Sequence, residues 1–225
     1  MVVVLITHLP YSALSRPAIS SGDHWHSSSL CFTCSKRLVF WNHGGSSVGG
    51  VCLDERTGNS LSLNDITNAF TKVYGSSESN SPFEMIGFDA CMMASYDTAN
   101  ALKGITRCMT ASEESESGNG WDYTRWVGAL ANNPYMSGAE LGRVICDSYM
   151  KGCREYGTAD TATLSVIDIS KIPALGRAYE NYGIEALKLA SNNSGDFSRN
   201  LAAVPRKRKI MAAITRNRVI RIWWI

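Results

Sequence analysis

Two short apolar runs each end in a chemically reactive residue, and this pairing restricts the folds open to the chain more than any other feature. Leu38-Val39-Phe40-Trp41 leads into Asn42-His43-Gly44-Gly45, and Phe83-Glu84-Met85-Ile86-Gly87-Phe88 leads into Asp89-Ala90-Cys91. Apolar runs of this length, bounded by turn residues, read as strands buried on both faces, the pattern of a parallel sheet covered by helices. In such a sheet, residues just past the carboxyl ends of neighbouring strands share one crevice. A His and a Cys delivered there predict a thiol nucleophile and its base. The thiolate attacks, while a neighbouring imidazole raises the thiolate fraction and later protonates the leaving amine. Gly44 and Gly45 let the backbone come close to a substrate, so the Gly44 and Cys91 amides are the expected cradle for an oxyanion.

The remaining pattern reads as scaffold for that pair. Strand-like runs at residues 107–111 and 163–169 alternate with helix-like stretches at 64–74, 92–103, 138–156 and 171–190. Alternation of this kind predicts an α/β sandwich with a mainly parallel sheet. At 225 residues and 44% hydrophobic content, the chain can bury the core of one domain. The glycine-rich stretch from Gly44 to Gly50 lacks the lysine of a phosphate loop, which argues against nucleotide binding.

Seven cysteines, an odd count without dense regular spacing, do not form a disulfide framework. Cys52, Cys108, Cys146 and Cys153 are expected as inert core residues. Cys91 is expected at the N-terminus of the helix-like stretch Met92 to Lys103, where the dipole favours a thiolate. Cys31 and Cys34, with His24 and His26 nearby, bring a zinc site to mind, but no second ligand pair with recognisable spacing accompanies them.

The segments LVFWNHGG, GNSLSLNDI, IGFDACMMASYDTANAL, TASEESESGNGWDYTRWVGALANNP, ELGRVICDSYM and TLSVIDISKI follow one another over roughly residues 37 to 200. In that order they resemble the clostripain-type cysteine peptidases, relatives of caspases, gingipains and legumains. The resemblance implies a caspase-like α/β/α sandwich and endopeptidase activity after Arg or Lys, with Cys91 as nucleophile and His43 as base and then acid. An aspartate at the position of Asp89 is associated in the family with the pocket for basic side chains, and strand alternation puts Asp89 on the same side as Cys91. The competing reading is an aspartate that fixes the local turn.

The acidic stretch Ser112 to Trp121 corresponds to a wall of the substrate cleft in related peptidases, so Glu113 or Asp122 is a candidate for further negative potential. Glu114 and Glu116 read as solvated loop. Family members are commonly made as precursors that cut themselves between the catalytic residues. Arg56, in a polar glycine-containing stretch, is the candidate position, since Lys72 falls inside a helix-like segment. The family likeness also implies a calcium requirement in some members, export to the cell surface or beyond, and protein or peptide substrates bearing basic residues. No EF-hand-like ligand run is visible, so no metal ligands are assigned.

Both ends depart from the family. Residues 1–36 form an atypical segment without the strands and helix expected before the His43 strand, which leaves the sheet short. The apolar opening, Met1 to Ile6, is too brief for a membrane span and lacks a basic leader, so no signal peptide is read there. Residues 199–225 hold eight of the 22 Lys and Arg and none of the 20 Asp and Glu, so the basic balance belongs to the tail. Codons that can encode Arg208 to Ile225 yield, in a shifted frame, a peptide like the family's continuation. The tail from 201 to 225 is therefore expected to be out of frame rather than a nucleic-acid or membrane patch. The alternative function is that of a truncated, inactive paralogue that at most binds basic peptides.

Overall fold

The computed structural model describes residues 2–7, 36–75, 81–192 and 194–203. The chain builds a five-stranded sheet from β1 (Val2–Thr7), β2 (Lys36–Trp41), β5 (Phe83–Asp89), β6 (Thr106–Ala111) and β7 (Ser165–Asp168), arranged side by side in that order. A separate hairpin, β3 (Val51–Asp54) with β4 (Asn59–Leu61), grows from the loop after β2. The three central strands β2, β5 and β6 run parallel, and both edge strands are antiparallel. The α/β architecture with a parallel centre therefore holds, and Val2–Thr7 corrects the expectation that nothing before residue 37 joins the sheet. Its run of β-branched residues suits an edge strand.

Each face of the sheet buries its own apolar layer. Leu38, Phe40, Ile86, Phe88 and Met109 meet Ile66 of α2 (Leu63–Tyr74), Ala99 of α3 (Tyr96–Ala101) and Ile172, the first residue of α6 (Ile172–Asn192). On the opposite face Val39, Met85 and Cys108 meet Trp126 and Leu130 of α4 (Tyr123–Asn132) and Leu141, Ile145 and Tyr149 of α5 (Gly138–Glu155). Burial on both faces explains why β2 and β5 read as continuous apolar runs rather than alternating ones. Phe40 and Phe88, partners in the register, stack with ring centroids 5.2 Å apart.

Helix starts follow their capping chemistry. Ser62 with Asp65, and Ser137 with Glu140, form reciprocal capping boxes at the heads of α2 and α5. A one-turn helix α1 (Ser46–Gly49) sits in the glycine-rich loop, and α7 (Ser194–Ala203) follows α6. No helix among the described residues is long and apolar enough to cross a membrane. The basic tail beyond Ala203, Cys31, Cys34, His24 and His26 lie outside the described residues.

Candidate active site

The register of β2 on β5 brings the two reactive residues to equivalent places. Trp41 pairs with Asp89, the Asn42 N–H donates to the Asp89 carbonyl at 3.4 Å, and His43 and Cys91 each stand two residues further on. The two strand ends touch. A Cβ placed on Gly44 would lie 2.3 Å from the Cys91 carbonyl oxygen and 3.1 Å from both Ala90 Cβ and Met93 Cγ. Only a residue without a side chain allows this approach.

The β3 hairpin pins the His43 loop from outside. Cys52 N–H donates to the His43 carbonyl at 2.9 Å and Gly45 N–H to the Gly50 carbonyl at 2.8 Å. These two bonds flank the Gly44–Val51 bridge and leave the Gly44 N–H out of it, the pattern of a non-hydrogen-bonded antiparallel pair. Gly45, by contrast, spends its amide on Gly50. The imidazole of His43 is exposed, with Nε2 3.1 Å from Glu55 Oε1 in the hairpin turn. Glu55 had no signal in the sequence, because its contact arises only when the hairpin folds back.

Cys91 is not at a helix N-terminus. Met92 takes a left-handed backbone with φ 58°, and α3 starts only at Tyr96, where the Ser95 hydroxyl accepts from Thr98 N–H. A helix dipole acts over its first turn, so the placement at a helix start expected from the sequence is corrected. The segment after Cys91 is stitched to residues 112–116: Met92 N–H donates to the Glu114 carbonyl at 3.0 Å and Ala94 N–H to the Ser112 carbonyl at 2.8 Å. In the same stitching, Glu116 N–H donates to Cys91 Sγ at 3.3 Å.

Among the described residues Cys91 alone of the cysteines is partly exposed; Cys52, Cys108, Cys146 and Cys153 are buried and free of disulfides, as expected for core residues. Burial pushes the Cys108 thiol up to about 12 and raises those of Cys52 and Cys146.

Asp89 is 4% exposed at the end of β5. Its Oδ2 accepts from Trp121 N–H at 3.2 Å and from the Tyr123 hydroxyl at 3.0 Å. Gly120, with φ +61°, lies over the carboxylate; a Cβ there would stand 3.3 Å from Oδ2. Burial raises the Asp89 carboxyl above its ordinary value against these hydrogen bonds. Trp41, 48% exposed, and Tyr123 form an aromatic wall with centroids 6.5 Å apart.

The other acidic candidates are engaged elsewhere. Glu113 accepts from the Ser165 hydroxyl at the start of β7, and Asp122 caps α4 while pairing with Arg125 at 2.9 Å. The carboxyl that reaches Asp89 is Glu116, which the charge run in the sequence marked as solvated. Trp121 could have signalled the return: a buried indole between glycine-rich turns and a helix cap anchors the acidic stretch on the sheet. Arg56 is exposed in the hairpin turn, where its N–H donates to Asp54 Oδ1 at 3.0 Å, and Lys72 lies in the last turn of α2. Among the described residues no group of three or more His, Cys, Asp or Glu is arranged to hold a metal ion.

A mainly parallel α/β sheet with a histidine and, among the described residues, the one partly exposed cysteine at adjoining strand ends has the layout of a thiol hydrolase. The profile of the Clostripain family matches residues 30–204, and the chain belongs to that family. Among solved structures, a secreted C11 cysteine protease from Bacteroides thetaiotaomicron, in complex with an irreversible peptide inhibitor, superposes with a TM-score of 0.50 at 24% identity. The match covers 62% of this chain and 41% of that protease, so the chain spans less than half the length of its structural relative. An inactive zymogen C11 protease from Parabacteroides distasonis matches with a TM-score of 0.45 at 22% identity, over 62% of this chain and 35% of the zymogen. No match was found among curated proteins.

The exposed pair between His43 and Glu55 is worth little. Surface ion pairs contribute about 0.2–1 kcal/mol. Glu55→Gln is accordingly expected to change kcat/KM by less than about fivefold in a peptide-cleavage assay; a loss of a hundredfold would make Glu55 a working third member of the site.

Proposed function

We propose that the protein is a cysteine endopeptidase that cuts peptide bonds after Arg or Lys. The observation that carries this reading is the meeting of the two strand ends, which sets Gly44 against the Cys91 carbonyl and leaves His43 and Cys91 at the same level past paired residues. Cys91 attacks the scissile carbonyl carbon, and the sulfur–carbon bond forms as the thiol proton passes to His43. The imidazolium then protonates the leaving amine, and water hydrolyses the thioester with His43 again as base. The Gly44 and Cys91 amides are assigned to the oxyanion, in keeping with the Gly44 N–H being left out of the hairpin bridge.

Asp89 is assigned to the basic side chain before the cut. It is a buried carboxylate reached by the Glu116 carboxyl, whose own N–H donates to Cys91 Sγ, and the aromatic wall of Trp41 and Tyr123 stands beside it to receive an aliphatic stem. Arg56, in the exposed hairpin turn, is the candidate for self-cleavage.

Fluorogenic peptides ending in Arg, Lys and norleucine test the assignment. Asp89→Asn is expected to lower kcat/KM for the Arg and Lys peptides by about 10- to 150-fold, the worth of a hydrogen bond to a charged group, with a much smaller loss for norleucine. Equal losses for all three peptides would return Asp89 to a turn-fixing role. A folded wild type that cleaves none of them, yet binds the basic ones, would favour an inactive binder instead.

A further inference from the structure

The loop that delivers its amide to Cys91 also brings a second carboxyl against Asp89. We propose that Asp89 and Glu116 hold one proton between them and give it up to solvent when the cationic end of a substrate side chain arrives, which makes Glu116 a specificity-determining residue. The inference rests on the assignment of Asp89 made above.

Hydrogen bonding at the pair is incomplete without that proton. Glu116 Oε1 accepts from Trp121 Nε1 at 3.4 Å, whereas Oε2 is buried and has no donor. Asp89 has its two donors, Trp121 N–H and the Tyr123 hydroxyl, both on Oδ2. Two buried carboxylates in contact, one with an oxygen that nothing satisfies, repel each other; a proton on Glu116 turns the repulsion into a hydrogen bond.

Among the described residues the groups around Glu116 offer no counter-charge. Asp89 and Cys91 face Glu116 from the end of β5, Tyr123 from the head of α4, and Cys146 and Tyr149 from α5. None of these is basic. Burial first, and the charge of Asp89 second, push Glu116 up to about 10, so at neutral pH the pair carries one negative charge instead of two.

A guanidinium or ammonium supplies both what the proton supplies and more. It brings several N–H donors and a full positive charge, so the Glu116 O–H breaks, the proton leaves to water, and two carboxylates remain around one cation. An uncharged side chain of the same length cannot displace the proton. It meets a neutral carboxyl that is already bonded to its neighbour, and specificity arises from what the wrong substrate cannot do.

Calorimetric titration of the full chain at pH 7 with a peptide aldehyde ending in arginine, in two buffers of different ionisation heat, measures the released proton. The same aldehyde ending in norleucine adds to Cys91 in the same way and supplies the baseline. The arginine compound is expected to release about one proton more than the norleucine compound, and E116Q to release no such excess. Over the pH range where wild-type kcat/KM for the arginine peptide rises about tenfold per unit, E116Q is expected to be flat. Equal proton release for the two aldehydes in the wild type overturns the inference, and that measurement stands even if E116Q does not fold. Preferential cleavage after Arg without excess proton release overturns it alone. Cleavage after norleucine as readily as after arginine takes the assignment of Asp89 down with it.

Discussion

Replacing Cys91 with alanine is expected to lower peptide cleavage by about 10⁴-fold or more and to leave the folded state within about 1 kcal/mol of wild type. The activity loss follows from the lack of a substitute among the described residues. The four other described cysteines are buried, and for Cys52, Cys108 and Cys146 burial raises the thiol further from its reactive form. Cys91 alone is both partly exposed and in contact with a backbone donor on its sulfur, the Glu116 N–H at 3.3 Å. The mildness of the stability effect has the same origin. Cys91 contributes little to either apolar layer; alanine gives up the Glu116 N–H bond to Sγ but preserves the backbone bonds of Met92 and Ala94 that hold the segment in place. Cleavage of a fluorogenic peptide and thermal unfolding, measured side by side, check both halves. Labelling by a peptide chloromethyl ketone should be confined to Cys91 and absent from the variant. Retained cleavage in Cys91→Ala would end the peptidase reading.

The parts of this site that could be read from the sequence are those built by local pattern. The apolar runs before His43 and Cys91 are strands because both faces are covered, and α2, α5 and α6 begin and end within about two residues of their expected limits. Capping residues explain this: Ser62 and Ser137 each satisfy an orphan amide three residues on, and such bonds depend only on neighbours in the chain. What escaped was whatever depends on a loop returning. Glu116 reads as a solvated charge because its environment is made by Asp89, Trp121, Cys146 and Tyr149, which come from three separate segments. Glu55 meets His43 only through the β3 hairpin. The late start of α3 was also hidden, since helix periodicity continues through Met92 while the backbone there turns left-handed. The first strand was missed: Val2–Thr7 reads only as a brief apolar opening, because its partner, β2, lies beyond a long intervening segment that gives no hint of the pairing.

Gly44→Ala should separate the assembly of the site from the presence of its residues. The added methyl would stand 2.3 Å from the carbonyl oxygen of Cys91, a distance no real Cβ contact shows, with Ala90 and Met93 at 3.1 Å closing the other directions. Because the obstructing atom is backbone, no side-chain rotation relieves the clash, and the ends of β2 and β5 must part. Overpacking of this kind costs about 1–3 kcal/mol, which a domain of this size can absorb, so the variant is expected to fold with a lowered melting temperature. Catalysis is less tolerant. Parting moves His43 away from Cys91 and shifts the Gly44 N–H assigned to the oxyanion, and a displacement of about 1 Å at such a site costs on the order of 10²-fold. The expected result is therefore a fall in kcat/KM of about 10²-fold or more, with the Cys91 thiol still present and still alkylated by iodoacetamide in the folded variant. That combination distinguishes a mis-set site from an unfolded chain. If Gly44→Ala keeps activity within a few-fold of wild type, the close approach of the two strand ends is a packing detail, and the geometry that unites His43 with Cys91 must come from elsewhere in the fold.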